Sequence, residues 1–192
     1  MNMRLLFRII NITQICLITI MAALIPTTTV AGQFVSEQQL LNYTDTYGNV
    51  SLRNSANIRL PDPMRVKGNL NLENSHLTQL PNALTVKGNL DLAYSQITQL
   101  PLNINVGGYI NLAHSAITSI NNGLQVKGDL SLMGTKIKAL PPYLYVGGNL
   151  YLANTAITEL PQFLVVKGNI FLGGAPISDI NENVHVEGKI YR

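Results

Sequence analysis

Asp91 and Asp129 are the two side chains whose type and spacing come nearest to a catalytic site. An inverting glycosidase uses two carboxylates, one as general acid and one as general base, roughly 6.5–9.5 Å apart. In the repeat structure derived below, both aspartates face outward on coils two apart, at a distance of about 10 Å. The sequence holds no glycine-rich phosphate loop, nucleophile elbow or zinc motif. We therefore predict a protein that is not an enzyme and that needs no cofactor.

The imidazole and sulfur side chains do not predict a metal site or a thiol nucleophile. His76, His114 and His185 occupy three different positions of the repeat, so they do not form one column. Cys16, the single cysteine, lies in an apolar N-terminal segment that is expected to be removed. The mature chain would then have no disulfide, thiolate ligand or cysteine nucleophile.

The charge balance argues against a nucleic-acid partner. The formal net charge is +3, and two of the 13 basic residues, Arg4 and Arg8, lie in the N-terminal segment. The rest of the chain balances its basic residues with 10 acidic ones. A nucleic-acid binder needs a basic footprint to displace counterions from phosphates, and this composition does not supply one.

Residues 1–32 are predicted to be an export signal. Arg4 and Arg8 precede an apolar run of about 17 residues, 9–25, and small residues at the −3 and −1 positions allow cleavage after Ala31. The alternative, an anchor formed by an uncleaved N-terminal helix, is disfavoured because this run is at the short end for a bilayer span. We expect a secreted or periplasmic protein without stable membrane insertion after cleavage.

A 20-residue repeat organises the chain after residue 47. The motif V-K-G-N-L at residues 66–70 recurs with variations at every twentieth residue up to Val186, which gives seven starts, and a degenerate earlier unit contains Gly48 and Val50. Such self-similarity is typical of a solenoid, in which each unit buries its apolar faces only against its neighbours.

The apolar side chains of each unit alternate as an extended strand requires. A turn around residues 93–95 breaks the alternation, and Gly88 lies in the inward row, where a missing side chain lets a neighbouring coil approach. Because Leu130 points inward and Asn149 outward, Leu130→Asp should unfold the array and Asn149→Asp should be tolerated. The predicted inward side chains of unit 81–100 are Leu84, Val86, Leu90, Leu92, Ile97 and Leu100.

This unit resembles a leucine-rich repeat. Residues 90–101 read L-x-L-x-x-S-x-I-x-x-L-P, close to the pattern L-x-L-x-x-N-x-L-x-x-L-P of that family. The 20-residue period and the Leu-Pro corner are similar to the short repeats of bacterial effectors of the invasion-plasmid-antigen and Yersinia outer-protein types. Over residues 48–192 the resemblance implies a curved parallel sheet, with extended or tight helical turns on its convex side, and a binding role as a virulence or surface factor.

Two departures from that family leave the shape of the coil open. Ser or Thr stands where the family has a turn Asn, and a Val-x-Gly element lengthens the extended run, so a flatter coil similar to a β-helix is the alternative. The predicted fold is a right-handed, leucine-rich-repeat-like solenoid of parallel β-structure with 20 residues per turn over 48–192. Residues 33–47 are its N-terminal cap, with a short helix over 36–42. The cap residues expected to cover the first coil are Phe34, Val35, Leu40, Leu41 and Tyr43.

Two polar columns recur along the repeats. The Ser and Thr residues from Ser55 to Thr155 are predicted to bond to turn backbone rather than to form a flat ice- or mineral-facing surface. The lysine column is a solvated edge or, as a sharper alternative, an anion-binding stripe, and Gly107 and Gly147 interrupt it and reduce charge repulsion. Its members are Lys67, Lys87, Lys127 and Lys167.

Aromatic side chains concentrate at outward positions of the later coils. Tyr151, Phe171 and Tyr191 recur at one repeat position. Their rings are therefore expected to lie about 5 Å apart in adjacent coils. Such a column either stabilises the sheet through ring stacking or forms an exposed patch for another protein. The predicted partner-binding residues are Tyr109, Tyr145, Tyr151, Phe171 and Tyr191.

The sequence therefore predicts a non-catalytic protein–protein interaction module exported from a bacterial cell. The alternative is a carbohydrate-binding or carbohydrate-active solenoid that uses outward Tyr, Asp and Asn side chains. The expected partner is another protein and not a nucleic acid. Weak self-association through residues 181–192 is also expected, because no polar cap follows Ile190.

Overall fold

The computed structural model describes residues 33–56, 58–178 and 180–192. They form a parallel β-solenoid of about seven turns with about 20 residues per turn and a short helix at the N-terminal side. This architecture confirms the predicted fold class. The predicted export signal lies outside the described residues.

Eight two-residue strands form the long sheet of the solenoid. Each strand pairs in parallel with the strand one coil away, so Leu90 pairs with Leu70 on one side and with Ile110 on the other. The spacing of 20 residues in the sequence therefore sets the register of the whole sheet. Numbered in chain order, its strands are β2 (Val50–Ser51), β5 (Leu70–Asn71), β7 (Leu90–Asp91), β9 (Ile110–Asn111), β11 (Leu130–Ser131), β13 (Leu150–Tyr151), β15 (Ile170–Phe171) and β17 (Ile190–Tyr191).

A second side of the coil carries two shorter parallel sheets. The first of these, over the early coils, contains β4 (Met64–Val66), β6 (Ala83–Val86) and β8 (Asn103–Val106). The other, over the later coils, contains β10 (Gln125–Val126), β12 (Tyr145–Val146), β14 (Val165–Val166) and β16 (His185–Val186). Each coil thus has two extended segments joined by a bend, as in the flatter of the two predicted coil shapes.

The division into two short sheets follows a change in backbone conformation just before the strand. Residues 83 and 103 are extended, whereas Gly123, Tyr143 and Phe163 have φ values of 74°, 58° and 60°. A left-handed residue turns the chain and shortens the strand that follows from four residues to two. Asn122 and Gly123 are residue types that favour such a turn, so the change begins in the coil that contains them.

A short helix lies at the N-terminal side, as predicted. Ser36 caps α1 (Glu37–Leu40): its hydroxyl accepts a hydrogen bond from the Gln39 backbone N–H, and the Gln39 side chain accepts one from the Ser36 N–H. A 3-10 turn, Leu41–Tyr43, completes the segment. Nearby, β1 (Gln33–Phe34) and β3 (Ile58–Arg59) pair in parallel.

Only part of the predicted cap contact is present. Val35 and Leu40 are buried against the core. The prediction is wrong for three other residues, because the short helical segment directs only one apolar face toward the coil and because Phe34 lies on strand β1, where the adjacent Val35 takes the inward position. Those three, exposed by half or more, are Phe34, Leu41 and Tyr43.

One continuous apolar core runs through the solenoid. Leu130 has no exposed surface and lies in register between Ile110 and Leu150, as its inward assignment requires. Inter-coil contact is close: a Cβ placed on Gly88 would lie 2.9 Å from the Gly68 carbonyl carbon, so the predicted need for glycine there is confirmed. All six inward side chains predicted for unit 81–100 are buried, namely Leu84, Val86, Leu90, Leu92, Ile97 and Leu100.

A left-handed residue turns the chain after each long-sheet strand from β2 to β15, and the hydroxyl column follows it. Tyr94 at this turn has φ 56°, within the turn predicted around residues 93–95. The next residue is buried Ser or Thr in five successive coils, 75 to 155. The hydroxyls of Ser115, Thr135 and Thr155 donate to the carbonyls three residues earlier at 2.7–2.8 Å. Turn bonding by the side chain is thus confirmed for these three residues, and it is wrong for Ser55, Ser75 and Ser95, whose buried hydroxyls have no hydrogen-bond partner among the described residues. Because the column is buried, it does not form a mineral-facing surface.

Candidate partner-binding face

Three aromatic rings stack on the outward face of the long sheet. The ring centroids of Tyr151 and Phe171 lie 4.9 Å apart with planes 5° from parallel, and those of Phe171 and Tyr191 lie 4.9 Å apart with planes 7° from parallel. The predicted spacing is confirmed. We call these three residues the aromatic column. Tyr191 is 46% exposed, and the other two are half-buried.

The sheet itself fixes this column. Tyr151 and Phe171 are Cα partners in the register of β13 and β15, and Tyr191 continues that register on β17. The residue before each ring, as in Leu150, points into the core, so the ring beside it must face outward. Side chains held by stacking and by paired backbone have few alternative rotamers, which gives a preorganised surface.

The aromatic column begins at Tyr151, and the equivalent position one coil earlier is occupied by Ser131. A shallow depression lies there, on the same outward face. Ser131 ends strand β11, Met133 lies in the turn that follows it, and Tyr151 lies in the next coil. The residues that line the depression and bear on its chemistry are Tyr109, Asn111, Asp129, Ser131, Met133 and Tyr151. Sequence reasoning missed this feature, although the change from a small to an aromatic residue at one repeat position signals it.

Asp91 and Asp129 both hold backbone in place. Asp129 Oδ1 accepts a hydrogen bond from the Asn149 N–H at 2.7 Å, and Oδ2 is 3.5 Å from Asn149 Nδ2. Asp91 Oδ1 accepts from the Ala93 N–H at 3.0 Å and from Asn111 Nδ2 at 3.1 Å. Each carboxylate still has an oxygen that can accept another donor.

Tyr109 lies on this face beside the depression, 40% exposed. Its partial burial, and to a smaller degree the negative charge of Asp91, raise the pKa of the Tyr109 hydroxyl above its usual value. The hydroxyl can donate a hydrogen bond at neutral pH. From Asn89 to Gly173 the outward repeat positions of the long sheet carry two carboxylates and no Lys or Arg.

Outward asparagines and one aspartate form a hydrogen-bonded ladder beside the aromatic column. The side-chain oxygen of each ladder residue accepts a bond from the backbone N–H twenty residues later, at 2.7–3.0 Å. These outward side chains are therefore structural. The ladder residues are Asn49, Asn69, Asn89, Asp129, Asn149 and Asn169.

Tyr145 lies apart from the other predicted binding residues. It is half-buried on β12, in the short sheet of the later coils, where it pairs in register with Val165. A second stack of rings, Tyr143 on Phe163, precedes those strands with centroids 5.1 Å apart, and these rings are 64% and 47% exposed. The prediction that all five aromatic residues form one patch is wrong for Tyr145. The bend between β12 and β13 places Tyr145 and Tyr151, six residues apart, on different sheets.

The lysine column is exposed but is not a uniform stripe. Lys167 forms an ion pair with Glu187 of the next coil. The hydrogen bond to Glu187, and then the charge of that carboxylate, raise the pKa of Lys167 above its usual value. A Cβ on Gly107 would overlap the Lys87 carbonyl oxygen, so close backbone contact requires glycine there. Lys67, Lys87 and Lys127 remain exposed.

Each of the three histidines contacts a different neighbour. His76 Nδ1 is 3.4 Å from the Ser55 carbonyl, and the His114 ring stacks on Tyr94 with centroids 4.9 Å apart. His185 lies 3.9 Å from Glu187. Within the described ranges, no cluster of His, Cys, Asp and Glu is arranged to hold a metal ion.

Comparison with protein-family models, with curated proteins and with solved structures finds no match to this chain. In the part of the chain that the structure describes, no helix has the length and apolarity needed to cross a bilayer. The inference of function therefore rests on the surface chemistry of the solenoid.

Proposed function

We propose that this chain is a non-catalytic protein–protein interaction module that binds a partner protein through the outward face of its long sheet. The observation that carries the proposal is the aromatic column, with three parallel rings in register on adjacent strands. Aromatic side chains are enriched among the interface residues that dominate binding energy. Because stacking and strand pairing already order these rings, binding costs little side-chain entropy.

The proposed site of action is outside the cytoplasm of a bacterial cell, either in the periplasm or after secretion. The support is in residues 1–32, where two arginines, an apolar run and small residues before the cleavage position have the order of an export signal. The resemblance of residues 90–101 to the repeats of bacterial effectors supports the same role, that of a virulence or surface factor.

Capture of partners by matched ring variants tests the proposal. Extracts of the cell envelope and of host cells are passed over the wild-type protein and over the double variant Tyr151→Ala/Phe171→Ser. The control, Tyr143→Ala/Phe163→Ser, removes an equally stacked pair from the other side of the coil. We expect one captured protein to be lost with the first variant and kept with the control, while both variants stay folded in thermal melts. Equal capture by both variants contradicts the proposal.

Carbohydrate binding is the second candidate function. The observation that favours it is the uncovered ring of Tyr151 beside the polar side chains of Asp129 and Ser131, since sugar rings pack on aromatic faces and donate hydroxyl hydrogen bonds. A glycan array distinguishes the two candidates. Specific glycan signals that disappear with Tyr151→Ala would support this function over protein binding.

A further inference from the structure

The aromatic column leaves one ring position empty. Its rings are spaced at 4.9 Å, the spacing of neighbouring parallel strands, so each strand supplies one layer of the stack. Ser131 occupies the next layer with a small side chain. The space above it, bounded by Asn111 on one side and by Tyr151 on the other, is one layer thick. We call this space the Ser131 slot.

Among the described residues, no other ring stacks on the face of Tyr151 toward the slot. Phe171 stacks on the opposite face, and Ser131 is the register partner on the slot side. The face of an aromatic ring carries partial negative charge and attracts a cation placed over it. The Met133 thioether, which also lines the slot, is a polarisable group that packs well against flat apolar surfaces.

The charges around the slot are negative. Asp129 lines the slot directly, and among the described residues its Oδ2 has a single weak contact, at 3.5 Å. Asp91 lies near Tyr109, whose pKa its charge raises. Because the outward positions of the long sheet from Asn89 to Gly173 include no Lys or Arg, the face does not neutralise these carboxylates itself. A cationic group from a partner is the complementary charge.

The shape of the slot favours a guanidinium over an ammonium group. A guanidinium is flat, stacks on aromatic faces and presents an edge of N–H donors to a carboxylate, whereas an ammonium is a compact, strongly hydrated point charge. A flat group one layer thick can pack on Tyr151 while its edge faces Asp129. A phenyl or indole ring would fill the layer but would leave the carboxylate without a countercharge.

We propose that the Ser131 slot receives an arginine side chain of the partner protein, stacked on Tyr151 and paired with Asp129. The inference rests on the proposed protein-binding function and specifies the chemistry that the partner must present. It assigns Asp129 and Ser131 to recognition, in addition to the aromatic column.

A peptide titration tests the slot directly. The purified protein is titrated with blocked Gly-Arg-Gly and, as a control, with the same peptide carrying citrulline, which is similarly flat but uncharged. NMR signals of Ser131, Met133 and Tyr151 report on the slot. We expect saturable shifts with the arginine peptide, and binding at least about tenfold weaker with citrulline, the size of a desolvated cation–π contact. No saturable shift at these residues, or an equal response to citrulline, overturns the proposal, as does a glucose or N-acetylglucosamine trisaccharide that binds there instead.

Two variants separate recognition from folding. Asp129→Asn keeps an oxygen that can accept the Asn149 N–H, as asparagine does at other coils, and should weaken arginine binding about tenfold, because it removes the charge from the hydrogen bond to the guanidinium. Ser131→Tyr fills the slot with a fourth ring and should abolish binding while the fold stays stable. Full binding by either variant overturns the proposal.

Partner capture separates failure of the slot from failure of the proposed function. If Ser131→Tyr retains the partner while Tyr151→Ala/Phe171→Ser loses it, the slot assignment is overturned and the proposed function stands. If both variants retain the partner, the proposed function fails as well. Loss of the partner with both variants supports the two together.

Discussion

The side-chain oxygen of Asn149 accepts a hydrogen bond from the backbone N–H of Asn169, one coil further along, at 2.8 Å. Asn149 in turn donates its own N–H to Asp129 in the preceding coil. An outward asparagine in this solenoid is therefore a link between coils, and its substitution has consequences that a solvated side chain would not have.

Asn149→Asp is expected to destabilise the solenoid by about 1 kcal/mol, because it places a second carboxylate beside Asp129 on the adjacent strand. The sequence alone predicted that this substitution would be tolerated, because it shows only the outward position of Asn149. Urea unfolding at pH 7 measures the loss, which should shrink below about pH 4 as the carboxylates become protonated. Gln162→Glu, which adds the same charge at an exposed position, is the control. Equal stability of the two variants at pH 7 would contradict a stabilising role for the hydrogen bonds of Asn149 with the neighbouring coils.

The ladder also shows where sequence reasoning reached its limit. Alternation places Leu90 inward and Asn89 outward, and both placements are correct. The pattern does not distinguish a solvated amide from one that bonds to the next coil, because both leave a polar residue at an outward position. Hydrogen-bond geometry depends on the distance between coils, which is set only when the strands are paired.

The sequence also predicted only part of the arrangement of the candidate binding residues. Equal spacing of 20 residues is sufficient to stack Tyr151 on Phe171, and their rings are stacked as expected. The surface on which Tyr145 lies depends on the bend between β12 and β13, which follows from local backbone conformation and not from the repeat spacing. The stack of Tyr143 on Phe163 lies at a turn position, where a search restricted to strand positions does not find it.

Leu130→Asp should prevent folding of the array at 25 °C, because the charge would be buried between Ile110 and Leu150 without a partner. Circular dichroism and thermal melting measure the loss of structure. The matched control is Leu102→Asp, since Leu102 is 85% exposed and its replacement should change stability by less than about 0.5 kcal/mol. A cooperative melt of Leu130→Asp near the wild-type temperature would contradict the assigned core.

Thr135→Val should cost about 1 kcal/mol of unfolding free energy, because the buried Thr135 hydroxyl donates to the Leu132 carbonyl at 2.7 Å. Ser95→Ala provides the contrast. The buried Ser95 hydroxyl has no hydrogen-bond partner among the described residues, so its removal should be neutral or stabilising. Chemical denaturation of both variants checks the difference, and a larger loss for Ser95→Ala would contradict these hydroxyl assignments.

Glu187→Gln should lower the pKa of Lys167, because the hydrogen bond to Glu187 and its negative charge raise that pKa above the usual 10.5. A raised lysine pKa means that the pair stabilises the folded state below about pH 10.5 and that this contribution disappears as the pH rises through the folded-state value. NMR titration of the Lys167 side chain measures the shift. An unchanged titration midpoint would show that the two side chains do not interact in solution.

Photocrosslinking from within the aromatic column tests the central claim most directly, since it links a bound partner covalently to one defined position of the face. Benzoylphenylalanine is introduced in place of Phe171 or, as a control, in place of Phe163, which stacks equally well on the other side of the coil. Irradiation of the producing cells, with host material present, should give one discrete protein adduct from position 171 and not from position 163. Adducts from position 163 alone, or the same adducts from both positions, would contradict binding through the outward face of the long sheet.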